Sequence, residues 1–383
     1  MEIQKSKTLR VAIVGCGKIA DYHATAIQRI KGPRIVAICD REPLMAHQFS
    51  DRFGVAQCFS DLTELLSEIR PDVVHVTTPP QSHYRIARLC LEAGSHVYVE
   101  KPFTLYEREA RDLISIANAN RRKITAGHDD QFGHAAKRMR ALVKAGYLGG
   151  DPVHMESYYC YELGRSGYAG ALLGDKRHWV RSLPGQLLQN IISHGIARIA
   201  EFLTSDQPHV IAHGFTSPLL KSMGETEIMD ELRVIITEHD RMTAYFTFSS
   251  QMRPSLHQFR IYGPRNGLVL DHDQETLVRL RGRRFTSYAE KFVPPVLFAQ
   301  QYLENVFTNA KAFLARDFHI KAGMKYLIES FYDSIQHDSP LPISYRELVL
   351  TARIMDDIFA QLELQRIRPQ TQDMPSQQLV LSN

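Results

Sequence analysis

Leu9-Arg10-Val11-Ala12-Ile13-Val14-Gly15-Cys16-Gly17-Lys18-Ile19-Ala20 decides how this chain reads. A nearly continuous apolar run flows into a glycine turn and then into a helix start. Strands covered on both faces have this pattern. Gly15 permits the sharp turn, Gly17 lets backbone approach a phosphate, and Ala20 allows close packing of helix on strand. Such a strand, turn and helix lay a dinucleotide pyrophosphate on backbone N–H groups. A second apolar run, His96 to Val99, ends in Glu100-Lys101-Pro102. It sets a lysine at the C-terminal end of a later parallel strand, the edge where open α/β sheets bind ligands. A cofactor loop and a cation on one crevice imply hydride chemistry.

Working outward, Ile35–Cys39, Val73–Thr77 and Lys123–Ala126 read as further buried strands. Between them, Leu62, Leu65, Leu66 and Ile69 recur at helical spacing, with Ser60 or Asp61 as N-cap. Ile86, Leu89, Cys90 and Ala93 do the same, and Gly94 supplies the stop. Repeated βα units predict a parallel sheet with right-handed crossovers over residues 1–128. After Asp129 the pattern changes. Helical segments at 134–146 and 185–203 precede strands at His154–Tyr161, Val210–Thr216, Leu232–Thr237, Thr243–Ser249, Phe259–Gly263 and Leu268–His272. Hairpin turns at 238–241 and 263–267 make that sheet mostly antiparallel. The chain is helical again over 297–364. The fold class is α/β: a parallel-sheet domain at 1–128, an α+β domain at 129–365 and a polar tail at 366–383.

Composition narrows the function classes. The 383 residues carry a formal charge of +4, mild for this length, with 44% hydrophobic residues to build cores. Two basic clusters, Arg121-Arg122-Lys123 and Arg279, Arg281, Arg283 and Arg284, lack interleaved stacking aromatics. They read as solvated faces, so no nucleic-acid partner is expected. No apolar stretch reaches the roughly 20 residues a membrane helix needs. The polar N-terminus leads straight into a strand, and the five cysteines have no paired spacing. Both features predict a cytoplasmic protein without a membrane partner. No His-x-x-x-His lies beside an acid, so no catalytic metal is expected among the 17 histidines.

Asp40 ends the second strand twenty residues past Ala20. A carboxylate there accepts hydrogen bonds from the adenosine ribose and repels a 2′-phosphate, favouring NAD over NADP. Arg41, next to it, stacks on adenine or meets a phosphate. In Thr77-Thr78-Pro79-Pro80 the prolines turn the chain out of the sheet and set Thr77 and Thr78 near the nicotinamide side. His83 either joins them or caps the next helix. Lys101 stabilises negative charge developing on a reacting oxygen, with Glu100 as a nearby counter-charge.

Gly15–Ala20, Asp40, Thr77–Pro80 with His83, and Glu100-Lys101-Pro102 together resemble the glucose–fructose oxidoreductase / inositol dehydrogenase (Gfo/Idh/MocA) family, from about Leu9 to Leu350. The resemblance implies a Rossmann domain followed by a domain with a large, mostly antiparallel sheet. It implies NAD(P)-dependent dehydrogenation of a sugar, sugar derivative or cyclitol, in a homodimer or homotetramer packed through that sheet. It assigns cofactor contacts to Gly15, Cys16, Gly17, Lys18, Ile19, Ala20, Asp40, Arg41, Thr77, Thr78, Pro79, His83, Glu100 and Lys101. The family's third signature maps onto Leu183–His194. There His194 matches the catalytic histidine, while Asn190 stands where aspartate is usual and Ile192 where glycine is usual. Imidazole takes the substrate proton; asparagine hydrogen-bonds a hydroxyl but supplies no counter-charge. Lys101 and His194 are the catalytic pair, and His128, Trp179 and Asn190 join them around the substrate. Gln131, His178, Arg181 and the tyrosines 158, 159 and 161 are secondary candidates. Two alternatives share the resemblance: a non-catalytic dinucleotide-binding sensor, kept open by Asn190, and a redox-assisted NAD-dependent glycosidase.

Overall fold

The computed structural model of the protein describes residues 8–162, 174–282, 285–286, 288–319 and 321–367. Six parallel strands form the first sheet: β1 (Arg10–Val14), β2 (Arg34–Cys39), β3 (Cys58–Phe59), β4 (Val73–Val76), β5 (His96–Val99) and β6 (Ile124–Ala126). They lie in the order β3-β2-β1-β4-β5-β6, linked by α1 (Lys18–Gln28), α2 (Pro43–Phe53), α3 (Leu62–Ile69), α4 (His83–Glu92) and α5 (Glu107–Ala119). The order reverses between β1 and β4, and at that switch point the strand ends open a crevice. Val11, Ala12, Ile13, Val73, Val74, Val97 and Val99 are all fully buried, which explains their unbroken apolar runs. Local signals start and stop the helices. Asp61 caps α3 by accepting from Thr63 N and Glu64 N at 2.8 and 3.0 Å, and Gly94 ends α4 at φ +87°. Only β3, two residues long, has no readable period.

The second sheet has seven strands: β7 (His154–Glu162), β8 (His209–Phe215), β9 (Glu231–Glu238), β10 (Met242–Ser249), β11 (Gln251–Tyr262), β12 (Asn266–Asp271) and β13 (Thr276–Arg281). Their order is β13-β12-β11-β7-β10-β9-β8, antiparallel throughout except where β7 pairs parallel with β10. The helices of this half are α6 (His134–Lys144), α7 (Gln186–Ile191), α8 (Ser193–Ala200), α9 (Pro218–Ser222), α10 (Ala289–Leu314), α11 (Ala322–Gln336) and α12 (Tyr345–Ile367). β8 alternates exposed His209, Ile211, His213 and Phe215 with buried Val210 and Ala212, so one sheet face is covered and the other bare. α8 and α12 cover the inner face. A Cβ at Gly195 would stand 2.2 Å from the Phe246 ring, so glycine lets α8 lie directly on β10.

Several sequence expectations need correction. Residues 185–203 form two short helices, because the backbone turns at Ile192 between α7 and α8. The stretch read as one helical region over 297–364 is three helices starting at Ala289. β13 went unread, and β11 starts eight residues before the expected Phe259, since its first half is polar. Arg283, Arg284 and most of the expected tail (residues 368–383) lie outside the described residues. Of the other basic cluster, Lys123 Nζ donates to Ser334 O and Ser339 O at 2.6 and 2.8 Å, and Arg122 binds Gly94 O. Among the described residues no helix is long and apolar enough to cross a membrane.

The end of the chain returns to its beginning. Met324, Leu327, Ile328, Phe331 and Tyr332 of α11 are buried in the same core as β1, β4 and β5. Tyr332 OH reaches His75 Nε2 of β4 at 2.7 Å. The first sheet is therefore completed by residues more than two hundred positions downstream. Leu327→Ala should cost about 2–5 kcal/mol, the usual range for emptying a buried leucine site. Denaturant unfolding followed by fluorescence and circular dichroism would check it; a cost near zero would mean that α11 does not pack there.

Candidate active site

The glycine turn is built for close approach. Gly15 has φ +96°, and a Cβ on it would stand 2.9 Å from Thr77 C and Thr78 N. Thr77 Oγ1 donates to Gly15 O at 2.6 Å and to Val14 O at 3.0 Å, tying the turn to the end of β4. Above Gly17 nothing lies within 4 Å of where a Cβ would be, and no described side chain caps α1 there. The helix thus presents its N-terminal N–H groups and the positive end of its dipole to an open cradle. Asp40 stands at the rim. Its Oδ2 accepts from Cys16 N at 2.7 Å and its Oδ1 from Glu42 N at 2.9 Å, so the carboxylate is fixed beside the cradle. Lys18, Arg41 and Pro79 are exposed along the same edge, with Ile19 half-buried and Ala20 packed inside. The residues present fit a dinucleotide: an open, N–H-lined cradle at Gly17 with a fixed carboxylate, Asp40, at its rim.

Two members of the expected cofactor set turn inward instead. His83 is buried, and its ring nitrogens lie 2.9 Å from Pro102 O and 2.8 Å from Thr78 O. It pins the Thr78 loop to the Lys101-Pro102 loop and offers a ligand no free nitrogen. Glu100 is also buried. Its Oε1 meets His23 Nε2 of α1 at 2.8 Å and its Oε2 accepts from Lys101 N at 3.1 Å. Burial opposes its ionisation, but the His23 bond and nearby cations hold the carboxyl down at about 2. His23 Nδ1 continues to His75 Nδ1 at 2.8 Å, so this loop is anchored through a buried chain to Tyr332.

Lys101 leaves the end of β5 and crosses to the second half of the molecule. Its Nζ donates to the main-chain carbonyl of Asn190 at 2.9 Å. The main chain of residue 190, rather than its side chain, holds the lysine, so this tie does not depend on the residue being aspartate. Burial lowers the ammonium below its ordinary value, while Glu100 draws it back up. His194, one turn further on, is buried against Tyr159 at 5.7 Å and edge-on to His128 at 6.2 Å. Its Nδ1 lies 3.8 Å from both Asp129 Oδ1 and Asp130 Oδ2 and makes no hydrogen bond among the described residues. Burial drives the imidazole down to about 3, against the pull of Asp130, so it is neutral at pH 7. His128 is likewise buried, lowered to about 4.

The two aspartates were legible as a dipeptide after the last parallel strand, but their partners were not. Arg198, a turn beyond His194 on α8, reaches Asp130 Oδ2 at 2.5 Å and lies over the Tyr159 ring. Lys321, in the loop before α11, stands 3.6 Å from Asp129 Oδ2. Burial works against charge on Asp130, yet His194 once protonated and the permanently charged Arg198 keep it well below the usual carboxylate range; Asp129 is raised by burial. Asp129, Asp130 and His194 are grouped closely enough to ring a cation, but Arg198 and Lys321 already supply positive charge to both carboxylates. A Cβ on Gly323 would meet Asp129 O at 2.2 Å, so α11 presses directly on this loop. Trp179 is half-buried against the second core, and its carbonyl accepts from Gln81 at 2.9 Å. No described contact brings its ring to His194. Gln131 donates to Glu201 at 2.8 Å, within the structural frame of the site.

Comparisons with known proteins agree with this geometry. Residues 9–128 match the model of the GFO_IDH_MocA oxidoreductase family, which has an NAD-binding Rossmann fold. The chain is 32% identical over 145 residues to D-glucoside 3-dehydrogenase of Escherichia coli K12, a match spanning 38% of this chain and 41% of that protein. It is 24% identical over 286 residues to the uncharacterized oxidoreductase sll0816 of Synechocystis, covering 70% and 73%. The structure of the WlbA dehydrogenase from Bordetella pertussis, in complex with NADH and UDP-GlcNAcA, superposes with a TM-score of 0.74 at 15% identity, over 94% of this chain and 96% of that one.

Gly15→Ala should weaken dinucleotide binding at least tenfold, because the added methyl collides with the Thr77–Thr78 backbone at an unfavourable φ. Calorimetric titration with NADH against wild type would show it, and equal affinities would mean that the turn tolerates a side chain. Glycine turn, strand order and family match converge: residues 9–128 are an NAD-binding Rossmann domain of the Gfo/Idh/MocA oxidoreductase family.

Proposed function

We propose that this protein is an NAD-dependent dehydrogenase that acts on a CH–OH group of a sugar, sugar derivative or cyclitol. One observation carries the reading. The Lys101 ammonium, at the end of β5, is tied to the backbone carbonyl one turn before His194 of α8. The sugar and cyclitol class rests on the family and on the D-glucoside 3-dehydrogenase relative.

When bound, the nicotinamide accepts or gives up the hydride. Lys101 hydrogen-bonds the reacting oxygen and stabilises the negative charge that grows there as the C–H bond breaks. His194, neutral because it is buried, takes the hydroxyl proton in the oxidising direction and returns it in reduction. The developing imidazolium faces Asp130, whose charge is already held in place by Arg198. That carboxylate supplies the counter-charge that asparagine at 190 cannot. Asp40, fixed at the ribose end, favours NAD, since a 2′-phosphate would face a carboxylate; the Arg41 side chain is 92% exposed and lies beside Glu42.

The preference predicts tighter binding of NAD than NADP by titration calorimetry, and tighter NADP would show that Arg41 dominates. Once a screen of sugars, sugar nucleotides and inositols by NADH absorbance has found a substrate, Lys101→Ala and His194→Ala should each cut turnover roughly 10²-fold or more. Cofactor affinity should be nearly unchanged. His194→Ala at near-normal turnover would sink the assignment of the base.

The pH profile follows from the two burial effects. A neutral imidazole is required, and its value of about 3 puts the acid limb of the oxidation rate far below pH 6.5. A charged lysine is required, and burial lowers it, so the rate should fall with rising pH before the ordinary lysine value of 10.5. An acid limb centred near 6.5 would contradict this account of His194.

A further inference from the structure

Four side chains from distant parts of the sequence form a buried line behind the Lys101 loop. Tyr332 OH of α11 lies 2.7 Å from His75 Nε2 of β4, and His75 Nδ1 lies 2.8 Å from His23 Nδ1 of α1. His23 Nε2 lies 2.8 Å from Glu100 Oε1, just beyond β5. Both histidines are fully buried and Tyr332 is 2% exposed, so their polar atoms have to be satisfied within the line. The rings are also held in place. His75 stacks on Tyr98 at 4.8 Å and stands edge-on to His23 at 5.0 Å, while the Tyr98 hydroxyl bonds to none of them.

One hydrogen decides the direction of the whole line. Among the described residues His75 Nε2 is the only partner of the Tyr332 hydroxyl, whose O–H therefore donates there. His75 Nε2 is then an acceptor, and the proton of that ring sits on Nδ1. Burial, with His23 beside it, holds His75 well below its ordinary value, which agrees with a single proton. His75 Nδ1–H donates to His23 Nδ1, so His23 keeps its own proton on Nε2 and donates it to the Glu100 carboxylate. The reverse order, with an imidazolium at His23, requires His75 Nε2 to donate to the tyrosine oxygen. That order strands the phenolic hydrogen in the core without an acceptor.

We propose that Tyr332 and His75 are positioning residues for Lys101, acting by locking His23 in the tautomer that donates to Glu100. This role rests on the dehydrogenase reading of the site. The Glu100 carboxylate takes His23 on one oxygen and Lys101 N on the other, at 2.8 and 3.1 Å. Gly127 closes in on it from β6, where a Cβ would stand 2.9 Å from Glu100 Oε1. Held so, the carboxylate fixes the main chain that carries the lysine and favours the charged ammonium. In the other tautomer of His75, two Nδ1 lone pairs would face each other at 2.8 Å. His23 would then have to move its proton to Nδ1 and turn a lone pair on the carboxylate. Glu100 would swing away or take up a proton, and Lys101 would lose its counter-charge. A hydroxyl more than two hundred residues downstream thus sets the charge beside the lysine.

Nitrogen NMR on the histidine-labelled full chain tests the lock without substrate, with signals assigned by their loss in His23→Gln and His75→Asn. The expected state is His23 protonated on Nε2 alone and His75 on Nδ1 alone. Protons on both nitrogens of His23, or a proton on His75 Nε2, overturn the proposal whatever reaction the site performs. Tyr332→Phe removes only the hydroxyl, and His75 should then populate its other tautomer; unchanged tautomers overturn the lock. With a substrate in hand, Tyr332→Phe should lower kcat severalfold at unchanged NADH affinity. In a His23→Gln background an amide N–H takes the place of Nε2 and has no tautomer to lose, so Tyr332→Phe should lower kcat no further. An equal loss in both backgrounds means that Tyr332 acts by packing alone, and it overturns the positioning role, as does normal kcat in Tyr332→Phe. Should Tyr332→Phe fail to fold, the wild-type spectrum still decides the tautomers. His75→Asn, whose amide donates from the Nδ1 position, should then retain turnover that His75→Leu loses, and equal turnover in the two variants overturns the role.

Discussion

Two adjacent carboxylates beyond the end of β6, Asp129 buried and Asp130 half-buried, impose the constraint around which this molecule is organised. Ions in that position need partners or they lose their charge. The first sheet holds only part of what they need. Arg198 arrives on α8 and Lys321 in the loop before α11 to supply the positive charge, and neutral His194, one turn before Arg198, stands beside them. Satisfying the pair therefore brings three distant stretches of chain to one point at the mouth of the cofactor crevice. Lys101 adds a fourth link through the Asn190 carbonyl. The chemistry proposed for the site uses the same contacts that hold its two halves together.

The Rossmann half was legible because its physics is local. Strands buried on both faces must be apolar throughout, and turns that admit phosphate need Gly15 and Gly17. The glycine loop, Asp40 and Lys101 could be placed at their strand ends from local pattern, and His194 on its helix from the family resemblance. What failed had no local signal. β3 is two residues long, β13 has only Leu277, Val278 and Leu280 as apolar residues, without a strict alternation, the first half of β11 is polar, and the turn at Ile192 interrupts a pattern that reads as one helix. Residue identity also misled. Glu100 and His83 look like ligand contacts but are spent on backbone and on His23, and residue 190 acts through its carbonyl. The carboxylates beside His194 come from the loop after β6 and not from residue 190. Lys321 stands nearly two hundred residues from Asp129, and no sequence pattern connects them.

The same economy governs the ends of the second sheet. α11 seals the first core and presses on the Asp129 loop through Gly323, so it is both packing and positioning element. α10 closes a strand edge with amides. α11 thus turns a face that would be costly in water toward the first core, and the amides of α10 satisfy backbone groups of an edge strand that would otherwise stand open.

The central claim is that His194 is a neutral base held in a buried charge cluster. Its titration by NMR, on histidine-labelled protein with the signal assigned by comparison with His194→Gln, tests that most directly. The account predicts an imidazole that stays neutral from pH 8 down to about pH 5, with a midpoint far below the ordinary value of about 6.5. A midpoint at or above that value would mean that the cluster stabilises imidazolium in the resting protein, and the proton-transfer scheme drawn from the structure would be wrong.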